Sequence, residues 1–113
     1  MGKFLFEGQL KADFEDRLLL HLQTVIGAKL RRGESFHFSW KDDISIGDGR
    51  TSIWVHPGSV ITYKYYGGRE PAVNRAWIDA LMYTANSPRG LYVVPEPAPA
   101  QVRQGKPATD EAY

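Results

Sequence analysis

The chain contains no cysteine. That removes disulfides, thiolate zinc sites, iron–sulfur clusters and cysteine nucleophiles together, and it is neutral about redox compartment. Stability must come from burial. No apolar run approaches the ~20 residues that cross a bilayer. The opening Met1-Gly2-Lys3-Phe4-Leu5-Phe6 has neither the apolar stretch nor the small-residue cleavage site of a secretory signal, and Phe6 stands where a myristoylation signal needs Ser or Thr. The expectation is a cytoplasmic protein that does not span a membrane. A dominant charge sign is missing too, since Lys+Arg 14 against Asp+Glu 13 leaves +1. This argues against coating nucleic acid by bulk electrostatics, while leaving a local basic patch open. What remains is 113 residues, 42% hydrophobic and 24% charged, enough for one core and little room for an interdomain cleft.

Composition shifts near Pro95. From there PEPAPAQVRQGKPATDEAY offers almost nothing to bury, so residues 95–113 read as a flexible Pro/Ala-rich tail after a single domain at 1–94. Within that domain, Lys3 to Phe6 and Gln9 to Phe14 alternate around the turn residues Glu7-Gly8, which predicts a hairpin. Leu18, Leu19, Leu22, Val25, Ile26 and Leu30 recur at three- and four-residue steps, so a helix is predicted over 15–32. Asp13 to Asp16 suit its positive end, Lys29, Arg31 and Arg32 its negative end, and Gly33 its left-handed cap. Ser35 to Trp40 alternates strictly as a half-buried strand. Thr51 to His56 and Val60 to Tyr66 are two more strands joined at Pro57-Gly58, which together predict a three-strand meander. Asn74 can cap a second helix carrying Trp77, Ile78, Leu81 and Ala85, and Leu91 to Val94 is a last extended piece. The order ββαβββα(β) implies an α+β fold, with two helices on one face of a mainly antiparallel sheet.

Residues with catalytic or metal chemistry are present without the spacing that chemistry requires. Asp42, Asp43 and Asp48 lie in a Gly-containing loop, where Asp serves turns. GDGR at 47–50 lacks the GK[ST] ending of a P-loop. His21, His37 and His56 fall on three different elements, with no HExxH, and read as surface or boundary histidines. No GxSxG elbow occurs. No catalytic residue, metal site or cofactor is expected.

Alternation carried through the strands yields a more specific surface. If Phe36, Phe38, Trp40, Ile53, Val55, Ile61, Tyr63 and Tyr65 face the helices, the opposite side presents His37, Trp54, His56, Lys64 and Tyr66. Aromatics beside a cation on a half-solvated sheet can receive a partner or stack bases, or can pack with one another or with the N-terminal hairpin. Lys29, Arg31 and Arg32, with Arg50 or Arg69, are candidate phosphate contacts, although helix-dipole complementation also accounts for the first three.

The runs HLQTVIGAKLRRGESFHFSWKDD, GDGRTSIWVHPG and VNRAWIDALMYTANSPRGL, with the closing PEP, resemble a family of short uncharacterised actinobacterial proteins often labelled "ATP-dependent DNA ligase". The resemblance covers nearly all of residues 1–97. Ligases of that kind form a lysyl-adenylate at K-x-D-G, whereas here Asp48-Gly49 is preceded by Ile46 at the lysine's place. The resemblance therefore implies an uncharacterised domain and a link, by association, with DNA metabolism, and it does not carry ligase chemistry. The sequence thus points to a small non-enzymatic interaction domain, binding a protein or itself through the outer sheet face, with a nucleic-acid-associated module as the alternative.

Overall fold

The computed structural model describes residues 1–42, 47 and 49–99. Among them run β1 (Gly2–Phe6), β2 (Leu10–Phe14), α1 (Asp16–Arg31), β3 (Phe36–Lys41), β4 (Arg50–Val55), β5 (Ile61–Lys64), α2 (Arg75–Ala85) and β6 (Leu91–Tyr92). The α+β class and the element order match the expectation. These strands form two three-stranded sheets, ordered β2-β1-β5 and β4-β3-β6. Only the β3–β6 pairing is parallel.

The predicted three-strand meander needs correction. β3 and β4 pair as expected, but β5 leaves them and lies antiparallel to β1, Phe4 opposite Tyr63. A two-stranded ribbon is marginal alone. The free edge of β1 therefore takes β5, and the crossing is pinned where the Glu7 amide donates to the Val60 carbonyl (2.8 Å) and the Val60 amide to the Glu7 carboxylate (3.1 Å). Glu7 and Gly8 both have positive φ, and the Gln9 amide closes on the Phe6 carbonyl, which places a mirror-image turn within the three-residue connection between Phe6 and Leu10.

Both helices end as their sequences prescribe. At the C-terminus of α1 the Gly33 amide bonds the Leu30 carbonyl and the Glu34 amide bonds that of Lys29, around Gly33 at φ 75°. This is the Schellman arrangement, in which glycine adopts the left-handed conformation at least cost. Asn74 caps α2 by accepting from the Ala76 amide (3.0 Å). The acidic start of α1 falls at its positive end as expected, with Asp16 in the first turn. Asp16 makes no cap and instead accepts from the Gly67 amide (2.7 Å), tethering the end of β5 to the helix.

One core serves both sheets and both helices. Phe4 of β1 meets Phe38 and Trp40 of β3 with ring centroids 5.4 and 5.9 Å apart, and Tyr63 of β5 at 5.8 Å. Leu19, Leu22, Val25 and Ile26 of α1, with Trp77 and Leu81 of α2, close over them. Burial of Tyr63 pushes its phenol well above the usual range. Gly90 holds β6 in place. Its φ is +89°, and a Cβ there would stand 2.5 Å from the His37 carbonyl oxygen, so only glycine fits against β3.

His21 corrects the reading of the histidines as surface or boundary groups, because it is fully buried. Its Nε2 accepts from the Asn74 amide (2.8 Å), so the proton sits on Nδ1, which donates to the Arg17 carbonyl (2.7 Å). Trp77 packs on the imidazole at 4.7 Å. Around this pair Arg17 grips Glu96 through Nε (2.9 Å) and a terminal nitrogen (2.5 Å), while the Asn74 side-chain amide donates to Glu96 (2.8 Å) and to the Pro97 carbonyl (3.0 Å). The described contacts thus run through Pro97, past the boundary expected at Pro95. Residues 100–113, the rest of the expected tail, lie outside the described residues.

Hydrogen bonds from Arg17 and Asn74 hold the Glu96 carboxyl at about 2, against 4.5 for the free group. A carboxylate depressed by folding contributes stability that is present above its unfolded value and lost as pH falls toward the folded one. Thermal unfolding of the wild type should therefore fall off between about pH 4.5 and 2. Glu96→Gln should melt below wild type at pH 7 and converge with it at the acid end of that window. Parallel curves across the window would contradict the assigned role of Glu96.

Candidate functional site

Pairing register decides which side chains share a surface. In the β4-β3-β6 sheet, Phe36, Phe38, Trp40, Ile53, Val55 and Leu91 are buried. The outward positions then pair as His37 with Trp54, Ser39 with Ser52, and Lys41 with Arg50, and β6 adds Tyr92 beside Ser39. Trp54 is 51% exposed and meets the His37 ring edge-on at 4.9 Å. The Ser39 hydroxyl donates to that of Ser52 (2.9 Å), and the Arg89 guanidinium lies over the Tyr92 ring at 4.7 Å. No acidic side chain occupies an outward position on these strands. This face grades from aromatic at the Trp54 end to cationic at the Lys41 end.

The expected five-residue surface is divided by the change of sheet. His37, Trp54 and His56 stay together at one end of the β4-β3-β6 sheet, where His56 is exposed and its Nδ1 accepts from the Gly58 amide (3.1 Å). Lys64 lies on β5 in the other sheet, with Tyr66 just beyond it, both exposed, and the Lys64 ammonium over the Tyr66 ring at 5.6 Å. They form a second, separate patch.

The candidate phosphate contacts divide as well. Lys29 is buried, donating to the Asn86 side chain (2.7 Å) and paired with Glu34 (2.9 Å), so it is occupied within the fold. Arg31 and Arg32 are exposed at the end of α1, Arg32 3.8 Å from Glu34. Arg50 is exposed on β4. Of the loop acids, Asp42 accepts from the Thr51 hydroxyl (2.9 Å), whereas Asp43 and Asp48 lie outside the described residues. No cluster of three metal-ligating side chains occurs among the described residues. No helix among them is long and apolar enough to cross a membrane.

Lys41, Arg89 and Tyr92 belong to the cationic end of this face and were not anticipated. Lys41 could have been found by carrying the Ser35-to-Trp40 alternation one residue further. Tyr92 and Arg89 could not, because their position depends on a parallel pairing between segments some fifty residues apart.

Fold and surface together define an α+β domain with two three-stranded sheets and, among the described residues, an outer sheet face whose strands carry no carboxylate. The chain belongs to the family described as Domain of unknown function (DUF7882), which matches residues 1–96. That match agrees with the uncharacterised family expected from the resemblance, and it bears on neither the ligase label nor an actinobacterial origin. No curated protein and no solved structure matches the chain.

Because Trp54 contributes its ring to the surface and Trp40 to the core, removal of the two indoles should cost very different amounts of stability. Trp54→Ser should cost no more than the about 1.5 kcal/mol of its contact with His37, and Trp40→Ala about 3–5 kcal/mol, both read from urea unfolding. Equal losses would contradict the assignment of the two faces.

Proposed function

We propose that the domain is a non-catalytic binding module that pairs with a second copy of itself through the Trp54 end of the β4-β3-β6 sheet. The observation that carries this reading is Trp54, half exposed on an edge strand and held upright against His37. An indole fixed in solvent keeps an apolar surface wet and loses little side-chain freedom on contact, the combination that enriches aromatics at interfaces. β4 has no described backbone partner on its outer edge and carries neither proline nor an inward charge, the usual protections of such an edge. A second β4 added antiparallel would satisfy those backbone groups and bring the two Trp54 rings to the seam.

Light scattering across a hundredfold dilution should show a concentration-dependent dimer for wild type and a monomer for Trp54→Ser. A wild-type monomer throughout would contradict the homodimer.

The charge of the same face favours a second reading, a nucleic-acid-associated module. Lys41, Arg50 and Arg89 lie beside Tyr92 with Trp54 and His37 along the sheet, the mixture of cations and stacking rings that single strands use. Lys64, Tyr66, Arg31 and Arg32 fall elsewhere and would not join that contact. Titration of labelled single-stranded DNA should then give log affinity falling with log salt at a slope near −2, as about three phosphate contacts require. Absence of binding at low salt would remove this reading.

A further inference from the structure

A groove of about 750 Å³ opens at the Lys41 end of the sheet, within the size range of small-molecule sites. Its floor is apolar. Phe14 of β2, Leu18 of α1 and Trp40 of β3 meet there, with the Phe14 and Trp40 rings 5.9 Å apart and nearly perpendicular. Its rim is cationic, from Lys41, Arg50 and Arg89, contributed by β3, β4 and the segment before β6. Ser39 and Tyr92 add hydroxyls.

The balance of charge sets the ligand. Lys41 and Arg50 are direct cross-strand partners, an arrangement that like charges disfavour. Among the described residues no carboxylate is within ion-pairing distance of Lys41, Arg50 or Arg89. Among the described residues the only acid lining the groove is Asp13, which Lys3 already neutralises at 2.6 Å. Asp42, the acid next to Lys41, turns to Thr51. A monocarboxylate would leave most of this positive charge unmatched, whereas a phosphomonoester is close to a dianion at neutral pH and offers three acceptor oxygens to guanidinium forks. The ring of Tyr92 fixes Arg89 by stacking, so that guanidinium is positioned before a ligand arrives.

We infer that this groove binds a small phosphomonoester carrying a planar ring, its phosphate held between Arg50 and Arg89 and its ring set against Leu18 and Val93 over the edges of Phe14 and Trp40. The site is separate from the Trp54 end and does not depend on self-association, since neither Trp54 nor His37 lines it.

The test is calorimetric and NMR titration of the full chain with 1-naphthyl phosphate, inorganic phosphate and 1-naphthol in about 20 mM salt, where screening is weak. 1-Naphthyl phosphate should bind and shift resonances of Ser39, Lys41, Arg50, Arg89 and Tyr92, with the two fragments at least about tenfold weaker. Arg50→Gln and Arg89→Gln, whose exposed side chains leave the core untouched, should each weaken it about tenfold, and Arg69→Gln, away from the groove, should leave it unchanged. No binding at about 10 mM ligand, insensitivity to both variants, or equal affinity for 1-naphthol would overturn the assignment. Tighter capture of a phosphorylated oligonucleotide than of 1-naphthyl phosphate would also overturn it, in favour of a nucleic-acid surface. Trp54→Ser provides the separation from self-association, because it should abolish the dimer and leave the titration unaltered.

Discussion

Phe4 is where two small sheets become one domain. Its ring stands within 6.5 Å of Phe6, Phe14, Phe38, Trp40 and Tyr63, centroid to centroid, which joins β1, β2, β3 and β5 through a single fully buried side chain. Each three-stranded sheet has one apolar face to cover, and the two faces and both helices share a single cluster of buried residues. Once their inner faces are committed to this aromatic junction, period-two alternation fixes what each sheet must show outside, because a slip by one residue would expose Phe38 and bury His37. The outer face is therefore a by-product of the core, with its composition left free to serve something else.

That face is organised along the strands. At one end Trp54 leans on His37; at the other Lys41 and Arg50 stand opposite each other, with Arg89 stacked on Tyr92 nearby. Purely structural packing explains the first pair well enough, since cross-strand aromatic pairs stabilise sheets. It does not explain two cations in direct register, which is why the cationic end carries a ligand proposal of its own. The latch of His21, Asn74, Arg17 and Glu96, buried at its His21–Asn74 end, serves a different purpose, fastening the segment after β6 across the N-terminus of α2. In doing so it sets the path of the chain that brings Arg89 and Tyr92 to the groove.

Most of the secondary structure was legible, and so was the wet and dry phase of β3 and β4. Local signals carry both: the stripe from Leu18 to Leu30, the caps Gly33 and Asn74, and the alternation of Phe36, His37, Phe38 and Trp40. What the sequence concealed was long-range. Adjacent strands usually pair, so β5 was expected beside β4; its actual partner is β1, some fifty-five residues away, and nothing in Val60 to Tyr66 advertises that choice. This one crossing divided the expected surface, carrying Lys64 and Tyr66 to the other sheet. Lys29 looked like a helix-end cation available to phosphate, but the fold buries its stem and spends its charge on Glu34 and Asn86. His21, spaced on the helix among leucines, could have been read as buried from its periodic position, yet its hydrogen-bond partner Asn74 lies on an element that only the tertiary fold brings near.

The whole account rests on the orientation of β3 and β4 in the isolated domain. Solvent paramagnetic relaxation at low protein concentration, with a soluble gadolinium chelate, reads that orientation side chain by side chain. Strong relaxation of Trp54, His37, Ser52 and Arg50 together with protection of Phe38, Ile53 and Val55 is the expected pattern. A protected Trp54 indole in the monomer, or a strongly relaxed Phe38 ring, would contradict it.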